Sequence, residues 1–171
     1  MTTPDLQQGL QTALQIHQGG RIGEAIKLYE AILSIDADHA DALHLLGVAR
    51  HQTGDSEIAV TLIRKAIIKV CNRPEFHSNL GQVLETLGHV GKAEAVYRQA
   101  LALDQNMTDA LSNLGAILLG RGKTSPAIQA LSKAIKLDPH HAMANMNLGN
   151  ARRANGEPAA ALGLHEEASK L

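Results

Sequence analysis

The chain has 171 residues, with 16 Lys+Arg against 17 Asp+Glu and a formal net charge of -1. That balance offers no basic surface for nucleic acid or an acidic membrane, and a single cysteine, Cys71, excludes an internal disulfide and fits a reducing compartment. Hydrophobic residues reach 44% while aromatics stay at 2%, and the Ala, Leu, Ile and Val content shows neither the alternation of strands nor the unbroken length of a membrane span.

The opening stretch, MTTPDLQQGL, has no basic n-region and no apolar run of a secretory leader. The chain is therefore read as soluble and cytoplasmic. Beyond this stretch a fixed interval takes over. Asn79, Asn113 and Asn147, each followed by Leu-Gly, stand 34 residues apart, and that period divides the chain into five units of one domain, 6–39, 40–73, 74–107, 108–141 and 142–171.

Unit one carries Gly9 early in its first helix and Thr12-Ala13 where later units have Leu-Gly; Gly20 ends that helix. Unit two has Leu46-Gly47, stops its first helix at Gly54 and starts the second at Asp55-Ser56. Unit three has Leu80-Gly81 and Gly88. Unit four has Leu114-Gly115, Gly122 and the helix start Thr124-Ser125-Pro126, and closes on LDPHH, where Pro139 cannot continue a helix. Cys71 and Gln105 hold the place of Pro139 in units two and three. Unit five has Leu148-Gly149, Gly156 and Glu157-Pro158, and stops at Leu171 inside its second helix without a polar cap.

Alanine recurs at 25, 59, 93, 127 and 161, and Ile32, Ala66, Ala100, Ala134 and Ala168 form a further column. Small residues at fixed places mark where two helices approach closely. Each helix is about a dozen residues, too short to stand alone in water. Stability must come from stacking helix pairs into an all-α solenoid.

The recurring L-G, G, A, A and D-P positions resemble the tetratricopeptide repeat (TPR), most cleanly in SNLGAILLGRGKTSPAIQALSKAIKLDPHH. The resemblance implies a right-handed solenoid of five helix-turn-helix repeats with a concave face that takes peptides. More narrowly, LQQGLQTALQIHQGGRIGEAIKLYEAIL and the HSNLG and LSNLG stretches resemble the TPR arm of bacterial O-linked N-acetylglucosamine transferase-like proteins. Related arms precede sulfotransferase or methyltransferase domains. No α/β alternation or glycine-rich nucleotide loop follows these repeats.

At about 100° per residue, Leu43, Leu46 and Arg50 share one face of a first helix, as do Leu111, Leu114 and Leu118. That face should pack on the second helix. The opposite stripe holds Glu75, Ser78, Gln82, Glu85 and Thr86 in unit three, and Met143, Met146, Asn150, Arg153 and Ala154 in unit five. In TPR arrays this stripe lines the concave groove. The resemblance thus makes Asn79, Asn113 and Asn147 a peptide-binding ladder, flanked by His44, Ser78, Ser112, Gln82, Glu85, Asn150 and Arg153. An Asn amide matches a peptide N–H and C=O without reading sequence. The alternative is that these asparagines bond between neighbouring helices.

Asp41, Glu75 and Asp109 form an acidic column at the groove edge. It is read first as first-turn carboxylates favoured by the helix dipole, and second as a preference for neutral or basic ligands. The Lys and Arg set of TPR domains that clamp a C-terminal carboxylate is missing. Arg50 and Arg152 are expected to keep their guanidinium groups wet or paired. His39, His140 and His141 lie in turns without ligands at metal spacing, and Cys71 with His77 lacks a third orienting group. No metal, cofactor or catalytic residue is assigned. The chain is read as a non-catalytic scaffold for a protein or extended peptide, with neither nucleic acid nor membrane as partner. The recruiting arm of a larger enzyme is the alternative, and self-association through solenoid ends a further possibility.

Overall fold

The computed structural model describes residues 3–157. Among these residues are nine helices and no strand: α1 (Thr3–Gln18), α2 (Ile22–Ile35), α3 (Ala40–Gln52), α4 (Ser56–Lys69), α5 (Pro74–Thr86), α6 (Val90–Leu103), α7 (Thr108–Gly120), α8 (Thr124–Leu137) and α9 (Ala142–Ala154). The fold is an all-α helical repeat. Pro158, Ala161, Ala168 and the end at Leu171 lie outside the described residues. The chain divides into two compact units, Met1–His89 and Val90–Leu171.

The glycine that closes each first helix has a backbone reason. Gly20, Gly54, Gly88, Gly122 and Gly156 take φ of 78°, 94°, 74°, 71° and 81°, the left-handed region where a Cβ is strained. At Gly122 the closing bonds run from Gly122 N to Leu119 O at 2.9 Å and from Lys123 N to Leu118 O at 2.9 Å. This is the paired pattern that satisfies the last carbonyls of a helix. The return turn uses aspartate instead. Asp36, Asp104 and Asp138 each accept, through Oδ1, the backbone N–H two residues on, at 3.1, 2.9 and 3.0 Å.

Helix starts differ in part from the sequence expectation. Asp55 is the N-cap of α4, yet its side chain does not cap. It accepts from Arg50 Nη1 at 3.2 Å instead. The side chains that do cap are histidines. His39 Nδ1 accepts from Ala42 N at 3.3 Å and His141 Nδ1 from Ala144 N at 3.1 Å.

In the first unit, Tyr29 is fully buried among Ala13, Ala25, Ile26, Leu46 and Ala49. Burial pushes its hydroxyl up to about 12, and the oxygen lies 3.2 Å from His17 Nδ1. A second cluster joins Leu43, Ala66 and Phe76. In the second unit the buried residues include Ala93, Tyr97, Leu111, Leu114, Leu118, Leu131 and Leu148. Two of the Leu-Gly glycines, Gly47 and Gly115, sit where paired helices touch. A Cβ on Gly47 would fall 2.6 Å from Ile63 Cγ1, and one on Gly115 2.5 Å from Leu131 Cγ. Arg50 and Arg152 are paired: Arg50 with Glu30 at 2.6 Å and Asp55 at 3.2 Å, Arg152 with Glu157 at 3.0 Å.

Candidate functional site

The first helices of the first unit, α1, α3 and α5, form an open cleft of about 440 Å³. Its apolar lining comes from Leu10 and Leu14 on α1, Leu45 on α3 and Phe76 on α5. Gln7 and Gln11 supply amides, and Asp41, Glu75 and Arg73 supply charge. The helical period explains the set. Gln7, Leu10, Gln11 and Leu14 fall at i, i+3, i+4 and i+7 on one face of α1.

His44 forms part of this wall and is held on two sides. Its ring stacks on Phe76 with centroids 4.2 Å apart, and its Nε2 lies 2.8 Å from Asn79 Nδ2. The amide donates, so the ring nitrogen accepts and the imidazole is neutral. Burial lowers the His44 pKa to about 4, with Asp41 opposing that shift and Arg73 adding to it. Arg73 lies 5.2 Å from the Phe76 ring centre and pairs with Asp41 at 3.5 Å and Glu75 at 3.4 Å. Arg73 and His44 therefore both contact Phe76 at the α3–α5 side of the cleft, and two carboxylates pair with Arg73.

The asparagines have different partners. Asn79 holds His44, and Asn113 Nδ2 donates to Tyr97 Oη at 3.1 Å. Asn147 has no side-chain hydrogen bond among the described residues. All three are half-buried. Ser78, Ser112 and His44 are buried, at 4%, 1% and 7% exposure, so their side chains pack between helices rather than facing solvent. Gln82 and Arg153 are exposed, while Glu85 and Asn150 are half-buried. Arg153 Nη2 donates to Asn150 Oδ1 at 3.3 Å.

Family models described as tetratricopeptide repeat match residues 18–70, 74–107 and 108–141. The chain belongs to the tetratricopeptide repeat family. A human relative, tetratricopeptide repeat protein 7B, is 29% identical over 85 residues, half of this TPR chain but only 10% of that protein. Solved structures share the fold. The crystal structure of MamA superposes with a TM-score of 0.80 at 23% identity, covering 92% of each chain. Pseudomonas aeruginosa PilF gives 0.87 at 20% identity over 96% of this chain and 75% of its own. YrrB, described as a TPR protein with an unusual peptide-binding site, gives 0.75 at 22% identity over 94% of this chain and 82% of its own.

Several residues singled out in this TPR sequence do structural work. Two members of the acidic column serve contacts between successive first helices, Asp41 on Arg73 and Asp109 on His141 Nε2 at 3.0 Å, while Glu75 pairs with Arg73 at the start of its own helix. His77 donates from Nε2 to the backbone carbonyl of Cys71 at 3.1 Å, so ring and thiol are not a nucleophile pair. Asn145, in the same repeat column as His77, donates to the Pro139 carbonyl at 2.8 Å. No group of three His, Cys, Asp or Glu among the described residues could hold a metal. No described helix is long and apolar enough to cross a membrane.

Sequence reasoning missed Arg73 and Phe76 in the cleft and Glu94 in the second unit. Glu94 is 3% exposed. It pairs with Arg98 at 2.6 Å, with Arg121, and with Lys123 at 3.6 Å. Burial pushes its carboxyl up, but the Arg98 bond and the charges of Arg98, Arg121 and Lys123 outweigh that and hold it below the usual carboxylate range. The signal lay in the repeat. Ile26, Val60, Ile128 and Leu162 are the apolar residues at the positions equivalent to Glu94 in the sequence.

Proposed function

We propose that this chain is a non-catalytic binding module whose first unit takes an extended peptide in the cleft between α1, α3 and α5. The observation that carries this reading is the cleft itself. Leucines from two helices present an apolar surface backed by the buried Phe76, and polar groups line the same cleft. Gln7 and Gln11 are exposed and supply both donors and acceptors for a peptide backbone. Two carboxylates, Asp41 and Glu75, share one cation, Arg73, which leaves one negative charge at the rim. The ligand is accordingly a peptide with a large apolar anchor and a neighbouring Lys or Arg.

The test is selection from a random peptide display library on the whole chain, followed by affinity measurement on Leu45→Asp and Leu14→Asp variants. Both positions are half-buried, so thermal unfolding is recorded alongside. Selected peptides share an apolar residue next to a basic one, and each variant loses about tenfold or more in affinity while remaining folded. Binders that are indifferent to both substitutions place the peptide elsewhere and overturn the reading.

A further inference from the structure

A different feature of the second unit carries an inference independent of the cleft. The other repeats put isoleucine, valine or leucine at the Glu94 position, so an apolar side chain satisfies the packing there. A buried carboxylate has a desolvation cost that an apolar residue avoids. One cation would neutralise it, yet three converge on it. Two positive charges are left over. Arg98, Arg121 and Lys123 keep 52%, 44% and 51% of their side-chain surface exposed. Each guanidinium has five N–H donors in a fixed fork, more than one carboxylate occupies.

The local backbone adds to this potential. A Cβ on Gly91 would lie 3.5 Å from Arg121 Nη2, so the guanidinium rests against the first turn of α6. Backbone N–H groups at a helix N-terminus carry partial positive charge. That turn has no acidic residue and includes the exposed Lys92. A phosphoryl group brings close to two negative charges and three acceptor oxygens, matching the surplus and the free donors. We propose that Arg98, Arg121 and Lys123, gathered on Glu94, form a binding site for a phosphoryl group, free or carried on a peptide.

The whole chain is titrated with inorganic phosphate at constant ionic strength, and the arginine Nε–Hε signals are followed by NMR. The signals of Arg98 and Arg121 shift saturably, and chloride at equal ionic strength leaves them in place. Arg98→Gln keeps Arg121 and Lys123 on Glu94, so the fold stands, and phosphate affinity falls about tenfold with the lost charged bond. Lys65→Gln, a surface change in the other unit, leaves the titration unchanged. A phosphoserine peptide that binds tighter than phosphate, while its unmodified form does not bind, assigns the site to peptide-borne phosphate. Weaker or equal binding assigns it to the free ion. A response without saturation, an equal response to chloride, or undiminished affinity in Arg98→Gln overturns the proposal.

Discussion

Asn79 reaches from α5 to the ring of His44 on α3, with 2.8 Å between Nδ2 and Nε2. The bond needs a neutral ring, and burial favours the same state by lowering the His44 pKa to about 4. The unfolded value is near 6.5. The unfolded chain therefore binds more protons between about pH 4 and 6.5, and stability falls as pH drops through that window. A difference of that size is worth about 3 kcal/mol at most. Thermal midpoints measured from pH 7 to 4.5 are expected to fall less steeply in His44→Gln than in the native chain. Parallel slopes would show that His44 does not govern the acid response.

Gly115 and Leu131 are the clearest steric pair in the second unit. An added Cβ would sit 2.5, 2.8 and 3.2 Å from three atoms of the Leu131 side chain. Gly115→Ala is expected to cost about 1–3 kcal/mol through overpacking, despite the better helix propensity of alanine. Leu131→Ala opens a cavity on its own. Combined, the two changes relieve each other, so the double variant is more stable than the sum of the single effects. Additive denaturation midpoints would place the clash elsewhere.

The fold was legible because its constraints fall on single residues repeated at one interval. A left-handed turn demands glycine at 20, 54, 88, 122 and 156 whatever surrounds it. A close helix contact demands glycine at 47 and 115. The candidate site was less legible because its parts come from different helices. Arg73, Phe76 and His44 meet only after α3 and α5 pack, and nothing local in the sequence announces a stacked Arg–Phe–His set. Asp55 marks the start of α4 in the sequence because helix starts are local, but its carboxylate goes to Arg50 rather than to the helix N-terminus. Glu94 stood in plain view as the acid in an otherwise apolar column.

The asparagine column divides by partner, and stability measurements can separate its members. Asn113 donates to the Tyr97 hydroxyl at 3.1 Å, whereas Asn147 has no side-chain bond among the described residues. Both gain about 0.6 kcal/mol of helix propensity when changed to alanine. Only Asn113 also loses a hydrogen bond, worth about 1 kcal/mol. Asn147→Ala should therefore be the more stable of the two variants by about 1 kcal/mol. Tyr97→Phe should remove most of that difference in a double-mutant cycle with Asn113→Ala. Equal stabilities for the two alanine variants would mean that the Tyr97 bond contributes nothing.

His77 and Asn145 occupy a column that is leucine in two other repeats, Leu43 and Leu111, both buried. Each polar residue reaches the carbonyl of the preceding turn, His77 that of Cys71 and Asn145 that of Pro139. They differ in what is left over. Asn145 spends its amide on a second bond, to the His141 carbonyl at 3.3 Å, whereas the Nδ1 of His77 is buried without a partner. An unsatisfied buried polar atom costs about 1–3 kcal/mol, comparable to or more than the one bond His77 makes. The Cys71 carbonyl lies in an exposed turn, where water can replace the ring. His77→Leu is therefore expected to raise the thermal midpoint, by about 2–4 °C for a gain near 1 kcal/mol. Asn145→Leu, which abandons two satisfied bonds, is expected to lower it. If His77→Leu also lowers the midpoint, the ring's bond to the turn outweighs its orphaned nitrogen, and the polar residue at this position holds α5 to the turn that leads into it.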